Sequence, residues 1–219
     1  MKRLRPEKDP VSIEQRSFAI IDAEVGDNKP FSGHCWEVAR RLVHTTADFS
    51  LLDCLVITDE AVTAGVTALL AGRAVFTDTR MALAGIPTRR ITPLGVNASC
   101  LLALPGVAER AKNAGITQSR AAVEIAKDSL DGAILAVGNA PTTLIALVEH
   151  LRNGGKPPAL VIGMPVGFVN AAESKELLME DPRVQSIIIR GRRGGSPLAA
   201  ATVNALAEIA LRNRANPTA

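Results

Sequence analysis

Proton chemistry near neutral pH falls first to the three histidines of this chain, and they differ in setting. His44 follows apolar Leu42 and Val43 at the predicted end of a helix, with Thr45, Thr46 and Asp48 just beyond it. Arg41 lies three residues earlier on the same helical face. A histidine so placed can act as a general acid–base or as a cationic partner of the helix dipole, and both readings stay open. His150, beside Leu151-Arg152-Asn153-Gly154, reads as a helix-end cation, and His34, before Cys35-Trp36, as a structural residue. Ser17 and Arg16 lie in Ile13-Glu14-x-x-Ser17-Phe18 and could face a site, but on chemistry alone an exposed helix position is the better reading. Ser196 follows Gly194-Gly195 without a G-x-S-x-G elbow, so a helix N-cap is the better reading than a nucleophile. The 25 basic residues comprise 18 arginines and 7 lysines. Arginine suits forked recognition of carboxylate or phosphate, although a coding bias accounts for the count equally well.

The elements that must position these residues show most clearly in the C-terminal half. Three stretches share one layout of apolar run, Gly- and Pro-rich loop, and amphipathic helix. They are Ala133-Ile-Leu-Ala-Val-Gly-Asn-Ala-Pro-Thr-Thr143, Ala159-Leu-Val-Ile-Gly-Met-Pro-Val-Gly-Phe-Val-Asn-Ala-Ala-Glu173 and Ile187-Ile-Ile-Arg-Gly-Arg-Arg-Gly-Gly-Ser-Pro197. A buried strand that breaks into such a loop before a helix builds half of a crevice in an open α/β sheet. The three loops are expected to line the C-terminal edge of the sheet with backbone N–H groups that suit an anionic ligand. Upstream, Asp9-Pro10 predicts a helix start, and helices are expected over Val11–Val25, Ser32–His44 and from Thr58 to Ala71. Leu51–Ile57 predicts a short strand, Ala74–Thr77 the first parallel strand and Val96–Ala103 a second. Pro105 and Thr117 open two further helices, and the helices after the three loops are expected over 141–153, 171–180 and 197–213. The alternation predicts an α/β fold in a single domain over residues 1–219, doubly wound around a mainly parallel sheet of about five strands.

Composition narrows the function. Of the residues 47% are hydrophobic but only 3% aromatic, with no tyrosine, so Ala, Val, Leu and Ile must fill the core. A net charge of +3 without a basic stripe interleaved with aromatics gives no case for nucleic acid. Cys35, Cys54 and Cys100 are odd in number and far apart, which suggests free thiols rather than disulfides or a zinc site. No segment reads as a signal peptide or a transmembrane span, so a cytoplasmic, membrane-free protein is expected. No loop carries G-x-G-x-x-G with a following acid, or a Walker Lys-Ser/Thr, which disfavours standard nucleotide binding.

Taken together these pieces resemble the precorrin-8X methylmutase family of corrin biosynthesis, whose anaerobic members act on cobalt-precorrin-8. The resemblance spans nearly the whole chain. It rests on Ile13-Glu14-x-x-Ser17-Phe18, Arg41-Leu-Val-His44, Val137-Gly-Asn-Ala-Pro-Thr142, Gly163-Met-Pro-Val-Gly-Phe-Val-Asn-Ala-Ala-Glu-Ser-Lys175 and Arg190-Gly-Arg-x-Gly-Gly-Ser196. It implies a flavodoxin-like fold, a homodimer and an isomerase that needs neither cofactor nor protein-bound metal. The implied reaction moves a methyl group from carbon 11 to carbon 12 of a tetrapyrrole, precorrin-8X or cobalt-precorrin-8, giving hydrogenobyrinate or cobyrinate. The family's catalytic histidine falls on His44, and its substrate contacts fall on Ser17 and Arg41, with Arg120, Asn139, Arg192 and Ser196 added from the loops and helices. Arg41 is then expected to matter more for ligand binding than for stability. A non-catalytic corrinoid carrier on the same scaffold is the alternative.

Overall fold

The computed structural model describes residues 10–216, so the expected cap at Asp9 lies outside the described residues. Helices α1 (Pro10–Val25) and α2 (Gly33–Thr46) come first. A 3-10 turn over Phe49–Cys54 then takes most of the segment expected to be a strand, leaving β1 at Leu55–Val56. Helix α3 (Asp59–Leu70) starts where the Thr58 hydroxyl accepts the Ala61 N–H, which satisfies one of the first-turn donors. There follow β2 (Val75–Thr77), α4 (Arg80–Ala84), α5 (Thr88–Ile91), β3 (Ala98–Cys100), α6 (Val107–Ala114) and α7 (Gln118–Ala126). The second expected strand is thus trimmed to three residues, because its end winds into a 3-10 turn at Leu101–Ala103. The chain closes with β4 (Ile134–Val137), α8 (Pro141–Arg152), β5 (Leu160–Gly163), α9 (Ala171–Met179), β6 (Ser186–Ile189) and α10 (Ser196–Ala215).

These strands form one six-stranded sheet in the order β1-β6-β5-β4-β2-β3. The five from β2 to β6 are parallel, and their order is that of the flavodoxin-like doubly wound fold. The sixth strand, β1, adds an antiparallel edge, with Leu55 opposite Ile189 and Val56 opposite Ile188. The order reverses between β2 and β4, where Val75 faces Ile134. Every residue of β4 and β5 is buried, as a sheet covered on both faces requires.

Two apolar layers cover the sheet. Helices α2, α3 and α10 pack with Ile134, Ile162, Ile187 and Ile189 on one face. Helices α6, α7 and α8 pack with Leu135, Val137, Val161 and Ile188 on the other. Helix α10 is buried on nearly all sides along its first fifteen residues and is rich in alanine, whose small side chain lets α2 and α3 approach it closely. Cys35 and Cys100 are buried and Cys54 is half-buried, all as free thiols. No described helix is long and apolar enough to cross a membrane.

Candidate active site

His44 sits in the last turn of α2, half-buried, with the chain turning away at Ala47 in the left-handed conformation. Its Nδ1 lies 2.8 Å from the Ser17 hydroxyl oxygen on α1. Phe18 meets the imidazole edge to face, with ring centroids 5.4 Å apart. Helix spacing explains the grouping, since Glu14, Ser17 and Phe18 lie on one face of α1, and Arg41 and His44 on one face of α2. With Ser17 on Nδ1, Nε2 is the nitrogen left to meet a ligand. Among the described residues no carboxylate hydrogen-bonds to the ring, so the pair lacks the third member of a hydrolase triad.

One turn below, Arg41 is 6% exposed and donates to Glu14 and, at 2.6 Å, to Glu208 of α10. Arg90 of α5 reaches Glu208 at 2.6 Å as well, closing a network of two arginines and two glutamates. The Arg41 hydrogen bond holds the Glu14 carboxyl below the usual carboxylate range, against the opposing effect of burial. The expectation that Arg41 serves ligand binding more than stability therefore meets a physical objection. Its guanidinium already ties α1 and α2 to α10.

The three Gly-rich loops do cluster at the C-terminal edge of the sheet, but their amides do not wait for an anion. Asp78, just past the end of β2 and 2% exposed, accepts the N–H groups of Gly138, Asn139 and Ala140 at 2.9, 2.7 and 2.8 Å. The switch point between β2 and β4, where such sheets commonly hold an anionic ligand, is filled by the chain's own carboxylate. Burial pushes the Asp78 carboxyl up, and the three amides pull it back down. The other loops brace each other. Gly195 N–H donates to the Met164 carbonyl at 2.8 Å, and Gly167 N–H to that of Arg192 at 3.2 Å. Approach is so close that a Cβ on Gly138 would lie 2.5 Å from the Ser196 Cα, and one on Gly194 would run into the Met164 carbonyl oxygen. Lys175, fully buried, donates to the carbonyls of Ile189 and Arg193, both at 2.7 Å.

The remaining expected site residues scatter. Asn139 stands exposed on the sealed loop, free to present its side-chain amide. Ser196 is buried and is the first residue of α10, not its cap, because Gly195 takes that position. Its hydroxyl lies 2.8 Å from that of Thr79. Arg192 is exposed and lies over the Phe168 ring at 5.3 Å. Arg120 is not brought to this edge. It pairs with Glu149 and Glu124 on the outer surface of α7 and α8, in a cleft of about 530 Å³ that His150 also lines. A mainly apolar cavity of about 460 Å³ lies between Thr46, two residues past His44, and Leu51, Val166, Phe168, Arg192 and Leu198. Asp78, Phe168 and Glu208 were not singled out as site residues from sequence. Phe168 carried a signal, as an aromatic inside a Gly-rich loop of a chain with few aromatics. Among the described residues no group of three His, Cys, Asp or Glu could hold a metal ion.

The strand order defines a flavodoxin-like α/β protein, with an imidazole held by a serine at the end of α2 and an arginine- and phenylalanine-lined cavity that begins two residues further on at Thr46. The family model for Precorrin-8X methylmutase matches residues 12–209. The chain is 42% identical over 201 residues to a Precorrin-8X methylmutase of Pseudomonas aeruginosa, covering 91% of this chain and 96% of that protein. It is 40% identical over 204 residues to a Cobalt-precorrin-8 methylmutase of Salmonella typhimurium, covering 91% and 95%. A crystal structure of a precorrin-8X methyl mutase from Thermus thermophilus superposes with a TM-score of 0.85 at 45% identity, covering 92% of this chain and 98% of that one. This chain belongs to the precorrin-8X methylmutase family, and is accordingly an isomerase of cobalamin biosynthesis.

Proposed function

We propose that this enzyme moves a methyl group from carbon 11 to carbon 12 of precorrin-8X or cobalt-precorrin-8, yielding hydrogenobyrinate or cobyrinate, with His44 supplying and retrieving the proton. The observation that carries this reading is the Ser17–His44 contact of 2.8 Å, which takes Nδ1 and leaves Nε2 for the ligand. A methyl shift around a conjugated ring can be concerted, so the chemistry asks for no nucleophile. Protonation of the macrocycle by Nε2–H favours the rearranged electronic structure, and the same nitrogen takes the proton back once the methyl has moved. The ring's peripheral carboxylates would stabilise the imidazolium while they face it. Confinement of a large flat ligand in a migration-ready geometry supplies the rest, and the braced loops make that edge rigid enough to do it.

The test is single-turnover conversion followed by visible absorbance. Wild-type protein should convert the substrate, whereas His44→Ala should fold, bind the tetrapyrrole and lose turnover by about 100-fold or more, the range of general acid–base catalysis. Undiminished conversion by His44→Ala would remove the histidine from the acid role. Tight binding without any turnover by the wild type would favour a corrinoid carrier instead. Assays with metal-free and cobalt-loaded substrate in parallel decide which of the two is the substrate.

A further inference from the structure

The arginines of this chain divide by partner. Arg40, Arg41, Arg90, Arg110, Arg120 and Arg193 each lie against a carboxylate. Arg80 and Arg192 are exposed, and among the described residues neither has a carboxylate at ion-pair distance. Their places in the fold correspond. Arg80 comes three residues after the end of β2 and Arg192 three residues after the end of β6, so both stand on the C-terminal edge of the sheet. Strands β4 and β5 lie between β2 and β6, which puts the two loops three strand spacings apart, about 14 Å.

Each arginine adjoins exposed apolar surface. Met81, next to Arg80, is 69% exposed, and Phe168, beneath Arg192, is 82% exposed. Apolar surface with an uncompensated cation at both ends matches a flat apolar ring that carries carboxylates on opposite sides. The amides between them at Gly138–Ala140 are occupied by Asp78, so a carboxylate arriving here must be met by side chains. The turn that carries Arg80 is also held firmly. The Thr79 hydroxyl accepts the Ala82 N–H at 3.0 Å and contacts the Ser196 hydroxyl at the start of α10.

We propose that Arg80 is a substrate-binding residue that grips a peripheral carboxylate of the tetrapyrrole, forming with Arg192 a two-ended clamp across the sheet edge. This inference rests on the tetrapyrrole reading above. It assigns recognition to a residue outside the motifs quoted above for the family resemblance.

Binding of hydrogenobyrinate and of its fully amidated counterpart, titrated by visible absorbance, separates the possibilities. Arg80→Gln should weaken hydrogenobyrinate by about tenfold, the effect of one charge-assisted hydrogen bond, and raise KM alike with kcat within about threefold. It should leave Tm unchanged, and leave binding of the amidated ring as in wild type. Arg80→Lys should restore part of the loss. Arg73→Gln, which removes the same charge near the opposite end of β2, should stay within about twofold of wild type. If Arg80→Gln binds hydrogenobyrinate like wild type, or weakens both rings equally, the clamp is overturned while the substrate reading stands. If the wild type binds neither ring, the tetrapyrrole reading fails and takes the clamp with it.

Discussion

Ser17 and His44 lie 27 positions apart in sequence and meet through one hydrogen bond, so under the proposed mechanism the serine would position the imidazole. Ser17→Ala should therefore lower kcat by about tenfold while KM for the tetrapyrrole stays near its wild-type value. A raised KM with kcat preserved would mean that the hydroxyl contacts the ligand instead. Arg41 belongs to a different kind of chemistry. Its removal leaves Glu14, Glu208 and Arg90 imperfectly paired around a buried gap. Breaking a fully buried pair costs about 3–5 kcal/mol, but both glutamates are about one-third exposed, so about 2 kcal/mol is the better figure for Arg41→Ala. Urea unfolding and ligand titration should show stability and binding falling together. A variant as stable as wild type that fails to bind would return Arg41 to the ligand-contact role.

The loops at the sheet edge act as one braced unit because each is tied by a group from elsewhere in the chain. Asp78 holds the loop after β4, and Lys175 holds the one after β6. Asp78→Asn keeps the size of the side chain but turns one of its acceptors into a donor aimed at N–H groups. It should cost about 1–3 kcal/mol and speed amide exchange at Asn139 and Ala140, which exchange measured by NMR would reveal. Gly194→Ala should be worse, by about 3 kcal/mol, because the added methyl meets the Met164 carbonyl and the backbone has little room to yield. Unchanged Tm in Gly194→Ala would show that the loops are looser than their packing suggests. The layout of these loops was legible in the sequence, since apolar runs ending in Gly and Pro before a helix have few other readings. Their closure was not. Asp78 is 60 to 62 residues from the amides it binds, and no local pattern announces a partner at that distance.

Over the whole molecule, pH acts on stability through the buried Lys175, whose ammonium burial pushes down to about 8 from its ordinary 10.5. A folded-state pKa below the unfolded one means that stability from this group is present above 10.5 and is lost as pH falls through 8. Wild type should therefore gain on Lys175→Met between pH 8 and 10.5, by up to about 3 kcal/mol in urea unfolding. A pH-independent difference would show that the two carbonyls hold the charge without penalty. Sedimentation velocity should report the homodimer that the family resemblance implies, and a monomer at assay concentration would correct that expectation. The sequence by itself settles the α/β class, the parallel strands and the family, because burial on both faces writes continuous apolar runs and close loop packing demands glycine at set positions. It points to His44 as well, but only through the family resemblance of a short motif on one helix. Folding alone settles which charges remain available. Arg41, Arg120 and Arg80 look alike in a linear chain, yet the fold pairs the first two with glutamates and leaves the third unpaired at the sheet edge. Charge compensation is a property of distance in space, and the chain order does not contain it.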